Sequence, residues 1–156
     1  MDLLGTEFLK LISAFEINKL KYIVVGGFAT YYHGFQRTTG DIDFWIRDDQ
    51  ENRLRLVESL DQMQYGRMEE LMKVPFLAGY CEVMLDNGVY ADFMNSILGF
   101  EEEDFEVCYE RATLAYVDGV PVRFIHLNDL IHSKETSHRP KDLLDAIELK
   151  RIHSID

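Results

Sequence analysis

The sequence predicts an α+β fold in which helices pack on a mixed β-sheet of about five or six strands. Three observations predict it. The apolar run Tyr22-Ile23-Val24-Val25 has the length and composition of a buried strand and ends in two glycines. Two β-rich pairs of segments flank Asp86-Asn87-Gly88 and Asp118-Gly119, whose Asn-Gly and Asp-Gly pairs suit tight hairpin turns. Five or six further stretches carry apolar residues at helical spacing.

In chain order, Phe8, Leu11, Ile12, Phe15 and Leu20 give a first amphipathic helix from about Thr6 to Leu20, with Thr6 as its N-cap. The strand at 22–25 then turns through Gly26-Gly27 into a brief helix, Phe28 to His33. Arg37 to Gly40 lead into a second strand, Asp41 to Arg47, whose Ile42, Phe44 and Ile46 face away from its two aspartates. Leu54, Val57 and Leu60 set the face of a helix over roughly Asp49 to Met63, and Arg67 to Lys73 add a helical turn. Gly79 to Asn95 read as an antiparallel pair closed by a type I′ turn at Asn87-Gly88, and a helix near Glu103 to Arg111 separates it from a second hairpin, Thr113 to Ile125. Asn128 or Asp129 caps the next helix. The last begins near Pro140, a residue suited to a first helical position, and Leu143, Leu144, Ile147 and Ile152 give it an apolar stripe.

At 156 residues the chain has the size of one domain with a single core. A formal net charge of −12 argues against nonspecific binding to DNA or RNA, which depends on Lys and Arg neutralising phosphates. A small anionic nucleotide stays compatible with that charge, because a bound divalent ion reverses the local sign. Cys81 and Cys108 form no Cys-x-x-Cys pattern and read as buried thiols. With no basic region followed by an apolar run and no stretch of about 18 apolar residues, the expectation is a cytoplasmic protein with no membrane partner.

The chemistry concentrates in Val25-Gly26-Gly27-Phe28-Ala29 and Arg37-Thr38-Thr39-Gly40-Asp41-Ile42-Asp43-Phe44. Alternation along a strand points Asp41 and Asp43 the same way, with Cα atoms roughly 6.6 Å apart. Two such carboxylates repel unless they share a proton or a cation, and hard oxygen ligands suit Mg²⁺ or Mn²⁺. A glycine turn opening a helix exposes backbone N–H groups that attract phosphate. Asp92 supplies a third acid in the otherwise apolar run Val89 to Met94, where burial is costly without a partner. If its strand lies beside the Asp41 to Arg47 strand, the three acids converge on one side of the sheet and would hold two ions about 3.5–4 Å apart.

Gly26-Gly27, thirteen residues, Asp41-Ile42-Asp43 and then Asp92 on a later strand resemble the nucleotidyltransferase superfamily of DNA polymerase β. The tail, Asp129-Leu130-Ile131-His132-Ser133-Lys134 through Arg139-Pro140-Lys141-Asp142-Leu143-Leu144-Asp145, is similar to the ending of small single-domain bacterial members. Those include minimal nucleotidyltransferase and AbiEii-like antitoxins and small antibiotic-modifying enzymes. The resemblance implies a nucleotidyltransferase fold and transfer of a nucleoside monophosphate from an NTP to a small-molecule or protein hydroxyl, with release of pyrophosphate. It implies that Gly26 and Gly27 hold the triphosphate, that Asp41 and Asp43 ligate both metals, and that Asp92 ligates the catalytic ion and helps take the hydroxyl proton. Arg37 and Thr38 would line the approach to the acids. Lys134 and Arg139 would contact phosphates, although pairing on a helix surface with Glu135, Asp142 or Asp145 explains them equally. A cognate toxin as partner, and a pocket completed by a second chain as in a homodimer, follow from the same family.

Other readings fit less well. The histidines His33, His126, His132, His138 and His153 lack zinc-ligand spacing, and Trp45 is explained by packing as well as by a pocket wall. The Gly-x-x-x-x-Gly-Lys-(Ser/Thr) of P-loop kinases is missing. Nothing in a paired-carboxylate glycosidase calls for a preceding Gly-Gly turn. The remaining alternative is a binding module on the same fold that neutralises a basic partner by contact.

Overall fold

In the computed structural model, which describes residues 5–77, 79 and 81–156, the apolar run Tyr22–Val25 is a fully buried strand, β1. It is preceded by helix α1 (Thr6–Ile17) and followed directly by α2 (Gly26–Tyr32). The chain continues through β2 (Ile42–Ile46), α3 (Gln50–Gln62), β3 (Glu82–Met84) and β4 (Tyr90–Met94). It ends with α4 (Phe105–Arg111), the hairpin β5 (Thr113–Val117) and β6 (Val120–Phe124), α5 (Leu127–Thr136) and α6 (Pro140–Ile152). Single 3₁₀ turns occupy Glu69–Met72 and Glu102–Asp104.

The six strands form one mixed sheet in the order β3-β4-β2-β1-β6-β5. β2 lies antiparallel to β1, with Val25 opposite Asp43, and parallel to β4, with Asp43 opposite Asp92. Partners in register project to the same face. One face therefore carries Tyr22, Val24, Ile42, Phe44, Ile46, Ala91 and Phe93, and α1 covers it. Phe15 meets the rings of Tyr22 and Phe44 at 5.4 and 5.3 Å between centroids, and Leu56, Val57 and Leu60 of α3 complete the packing. The other face begins with Asp43 and Asp92 and continues into Trp45, which is buried against Phe100 and Phe105 and donates Nε1–H to the carbonyl of Asn95 at 2.8 Å. Trp45 thus packs into the core, and the acidic part of this face is confined to the end of β2 where Asp43 lies.

Several local expectations shift. Gly5, without a side-chain bond, is the N-cap of α1, and Thr6 is its first helical residue. The cap of α5 is the His126 ring, whose Nδ1 accepts from the Asn128 N–H at 3.0 Å, because the Asp129 carboxylate is held by Arg111 at 3.0 Å. The β3–β4 turn closes through Gly88 N–H to Leu85 O at 2.9 Å, so Asp86-Asn87 is the central pair and Gly88 alone takes positive φ (+82°). That is a three-residue connection; the two-residue turn with both residues at positive φ falls at Asp118-Gly119 (+49° and +81°).

The largest correction concerns α6. Its apolar stripe faces outward: Leu144 is 52% and Ile147 61% exposed, whereas Asp142 and Asp145 are buried at 5% and 1%. Three cations meet those two carboxylates, and satisfying them decides which side of the helix turns inward.

Candidate functional site

Asp43 sits against the start of α2 because β1 and β2 are in register there. With Val25 opposite Asp43, the residue after Val25 lies under the carboxylate. That residue, Gly26, has φ +67°, a conformation costly for L side chains, and a Cβ on it would overlap Oδ2 of Asp43. A Cβ on Gly27 would likewise overlap the Thr39 hydroxyl. The helix thus begins at Gly26, two residues ahead of the sequence expectation, and both glycines leave backbone open to a cleft that Asp41 and Asp43 also line.

Asp92 enters the same face from β4, opposite Asp43, and its carboxylate accepts from the Gly79 N–H at 3.2 Å. Burial, then the charges of Asp92 and Asp41, push the pKa of Asp43 up to about 7. Asp92 is raised in the same direction, by burial first and by Glu82 and Asp41 after it, against the Gly79 hydrogen bond. Asp41 occupies an exposed bend immediately before β2. Among the described residues no three acidic, His or Cys groups are drawn together tightly enough to hold an ion as they stand.

A second set of charges borders the acids. Arg37 grips Asp145 in two bonds of 2.7 Å, and Lys134, 8% exposed, lies 2.9 Å from Asp145 and 3.1 Å from Asp142. Asp142 also accepts from Ser137 Oγ at 2.7 Å and Arg139 Nε at 2.8 Å. Against the upward push of burial, the Ser137 bond and Lys134 hold Asp142 below the usual carboxylate range. Arg37 and Lys134 do the same for Asp145. Arg37, Lys134, Arg139 and Lys141 all reach a cleft of about 340 Å³ beside the glycines.

The family model described as "Nucleotidyltransferase of unknown function (DUF6036)" matches residues 6–156. The chain belongs to this nucleotidyltransferase family. No curated protein shows significant similarity to it.

For a member of that family, the sequence-based site residues fall as follows. Gly26, Gly27, Arg37, Asp41, Asp43, Lys134 and Arg139 come together around the small cleft, with Asp92 beside Asp43 in a larger cavity. Thr38 does not join them: it is exposed, and buried Thr39 takes the place over Gly27. Alternation along the extended approach carries the signal, since Arg37 and Thr39 share a side and Thr38 points opposite. Lys134 is no helix-surface charge but a buried cation between two carboxylates. Asp142 and Asp145, which the sequence offers only as pairing partners, hold that cation, Lys141 of the same tail borders the cleft, and Ser137, which the sequence does not single out, donates to Asp142. The spacing of three between Asp142 and Asp145 puts both on one helix face, which is the trace they leave in the sequence.

The donor chemistry fits a divalent ion. Asp41, Asp43 and Asp92 offer hard carboxylate oxygens, and burial followed by the charges of Asp92 and Asp41 raises the pKa of Asp43 more than Lys134 and Arg139 lower it. Asp41 is exposed and lies outside the strand, whereas the sequence expectation puts it on β2 facing the same way as Asp43.

Proposed function

We propose that the protein transfers a nucleoside monophosphate from an NTP to a hydroxyl acceptor in a reaction that depends on Mg²⁺ or Mn²⁺. The observation that carries this reading is the pairing of Asp43 with Asp92 across β2 and β4, beside a glycine turn where a Cβ would overlap Asp43 at Gly26 and Thr39 at Gly27.

Gly26 and Gly27 leave room for phosphate oxygens, and Arg37, Lys134, Arg139 and Lys141 set a positive wall opposite them. Asp41 and Asp43 would hold the ions against the phosphates, and Asp43 with Asp92 would hold the one nearest the acceptor. Bound ions would supply charge neutralisation of the phosphates and of the developing oxyanion. The acceptor oxygen forms a bond to the α-phosphorus, the bond from that phosphorus to the bridging oxygen breaks, and pyrophosphate leaves. Asp92 takes the hydroxyl proton. The buried network of Asp142 and Asp145 fixes Lys134 and Arg37 in place, so that positioning and electrostatics do most of the work, as in phosphoryl transfer generally.

Incubation with each α-labelled NTP, Mg²⁺ and a panel of hydroxyl acceptors gives a labelled product that Asp43→Asn abolishes. Labelling that persists in EDTA, or is untouched by that substitution, removes the reading.

A second reading draws on the outward face of α6. Leu143, Leu144 and Ile147 offer exposed apolar surface, and a chain of net charge −12 would attract a basic protein such as a cognate toxin. Co-purification with a basic partner that survives Asp41→Asn with Asp43→Asn and is lost on Ile147→Glu supports contact over chemistry.

A further inference from the structure

Asp43 stands between two hollows of different chemistry. The smaller, about 340 Å³, is bordered by Asp41, both glycines and four cationic side chains. The larger, about 900 Å³, is bordered by Asp92 and walled by Phe76, Leu77, Met94, Ile97, Leu98 and Leu130. A polyphosphate belongs where the cations are. In-line displacement then requires the attacking hydroxyl to approach from the side opposite the departing pyrophosphate, which is the Asp92 side of Asp43.

The larger hollow suits one kind of molecule. Its volume lies within the range of small-molecule sites, roughly 300–1,000 Å³. Leu77 and Leu98, which line it, remain 52% and 53% exposed, so two of its apolar side chains keep surface that no other part of the described chain covers. Its walls are held firmly. Arg53, 8% exposed, donates to the carbonyls of Leu71 and Val74 at 3.0 and 2.6 Å and lies over the Phe76 ring at 3.9 Å, anchoring the segment that bears Leu77. His132 bonds the Gly99 carbonyl at 3.1 Å, and a Cβ on Gly99 would press into His132 and Thr136, which fixes the segment that bears Leu98. The acids here are Asp43, Asp92, Glu101 and Asp142, and the two cations that reach the cavity, Lys134 and Arg139, are both engaged by Asp142. An anionic acceptor would meet net repulsion.

Resting on the nucleotidyl-transfer reading above, we infer that the larger cavity is the acceptor site and that the acceptor is a small, uncharged or cationic hydroxyl compound with an apolar body. A nucleic-acid end or a phosphorylated sugar does not fit these walls. Its hydroxyl points at Asp92, which takes the proton as the oxygen–phosphorus bond forms and pyrophosphate departs through the cationic cleft.

The test uses the neutral fluorophore N-phenyl-1-naphthylamine as probe, together with the α,β-methylene analogues of ATP, GTP, CTP and UTP in Mg²⁺. The full chain binds the probe, and Leu98→Asp and Leu77→Asp each weaken probe binding at least tenfold. At least one analogue binds without displacing the probe, and its affinity changes less than twofold in either variant. Two variants on separate segments, each checked by its melting curve, guard against a folding defect. Absence of probe binding overturns the inference, as does displacement of the probe by an analogue, which would make the cavity a nucleobase pocket while leaving nucleotidyl transfer intact. If no analogue binds and the probe does, the transfer reading itself fails and the inference falls with it.

Discussion

Replacing Asp43 with Asn tests the electrostatic account of the site without needing a substrate. Asp43 has its pKa raised from 3.8 to about 7, by burial first and then by Asp92 and Asp41. The native state therefore binds a proton that the unfolded chain does not hold between about pH 4 and pH 7. Stability falls as pH rises through that window and is lowest above the folded value. Three pKa units at 1.36 kcal/mol each set a ceiling of about 4 kcal/mol. Because the carboxylate opens onto a cleft, solvent screening reduces this to about 2 kcal/mol. Asn keeps the shape and removes the charge, and no described residue donates a hydrogen bond to the Asp43 carboxylate that would be lost. For a chain of this length about 2 kcal/mol corresponds to roughly 4–8 °C in Tm. In EDTA, thermal or urea unfolding of the two proteins should converge toward pH 4 and diverge progressively up to pH 8, with Asp43→Asn the more stable. Addition of Mg²⁺ at pH 8 should raise the wild-type curve, as a ligand of the native state does, and leave the variant unchanged. Parallel curves from pH 5 to pH 8, or a variant weaker than wild type at pH 8 in EDTA, would refute the reasoning.

The remaining tests address single contacts. Gly26→Ala forces a Cβ to positive φ and against Asp43 Oδ2, so a loss of about 1–3 kcal/mol in urea unfolding and of labelled-product formation is expected together. Lys134→Met strips a cation from Asp142 and Asp145. Each carboxylate keeps an arginine, which places the cost at the lower end for a broken buried pair, about 3 kcal/mol, read as a lower urea midpoint with unchanged slope. The outward face of α6 predicts that Leu144→Glu changes stability by less than about 0.5 kcal/mol, whereas Leu149→Ala, at a fully buried site on the same helix, costs about 2–5 kcal/mol by the same assay. Equal costs for those two substitutions would mean that α6 is rotated from the orientation described.

What could be seen in the sequence was what backbone geometry dictates locally. A strand ending in two glycines, aspartates at alternate positions and an acid inside an apolar run all report on a few neighbouring residues, and the structure keeps the first and the last, while of the two aspartates only Asp43 lies on the strand and Asp41 falls in the bend before it. What could not be seen depended on partners distant in the chain. Nothing near Asp92 announces that β4 runs parallel to β2, yet that register alone brings its carboxylate beside Asp43. Periodicity assigned the leucines of α6 to the core, but Arg37, 108 positions before Asp145, and Lys134 outcompete them for the inward side. Apolar burial on one face of a helix is worth about 1.5–3 kcal/mol per side chain, and leaving two buried carboxylates uncompensated costs more. Thr38 and Thr39 differ in the same way: adjacent and chemically alike, they are separated only by which side of an extended segment faces Gly27.

The direction of the pKa shifts divides the acids of this region into two kinds. Asp142 and Asp145 are more deeply buried than Asp92, yet they are held low, because arginine, lysine and serine meet them. Asp43 and Asp92 are pushed up. Lys134 lies near enough to lower Asp43 somewhat, but its ammonium is already shared between two other carboxylates. A fold seeking only stability would have turned that lysine toward Asp43 or replaced the aspartate with an apolar residue. Uncompensated charge retained at the meeting point of a cationic cleft and an apolar cavity is the pattern expected of groups that act on a ligand, and the deficit has the sign and the oxygen donors that a divalent cation from solution would satisfy.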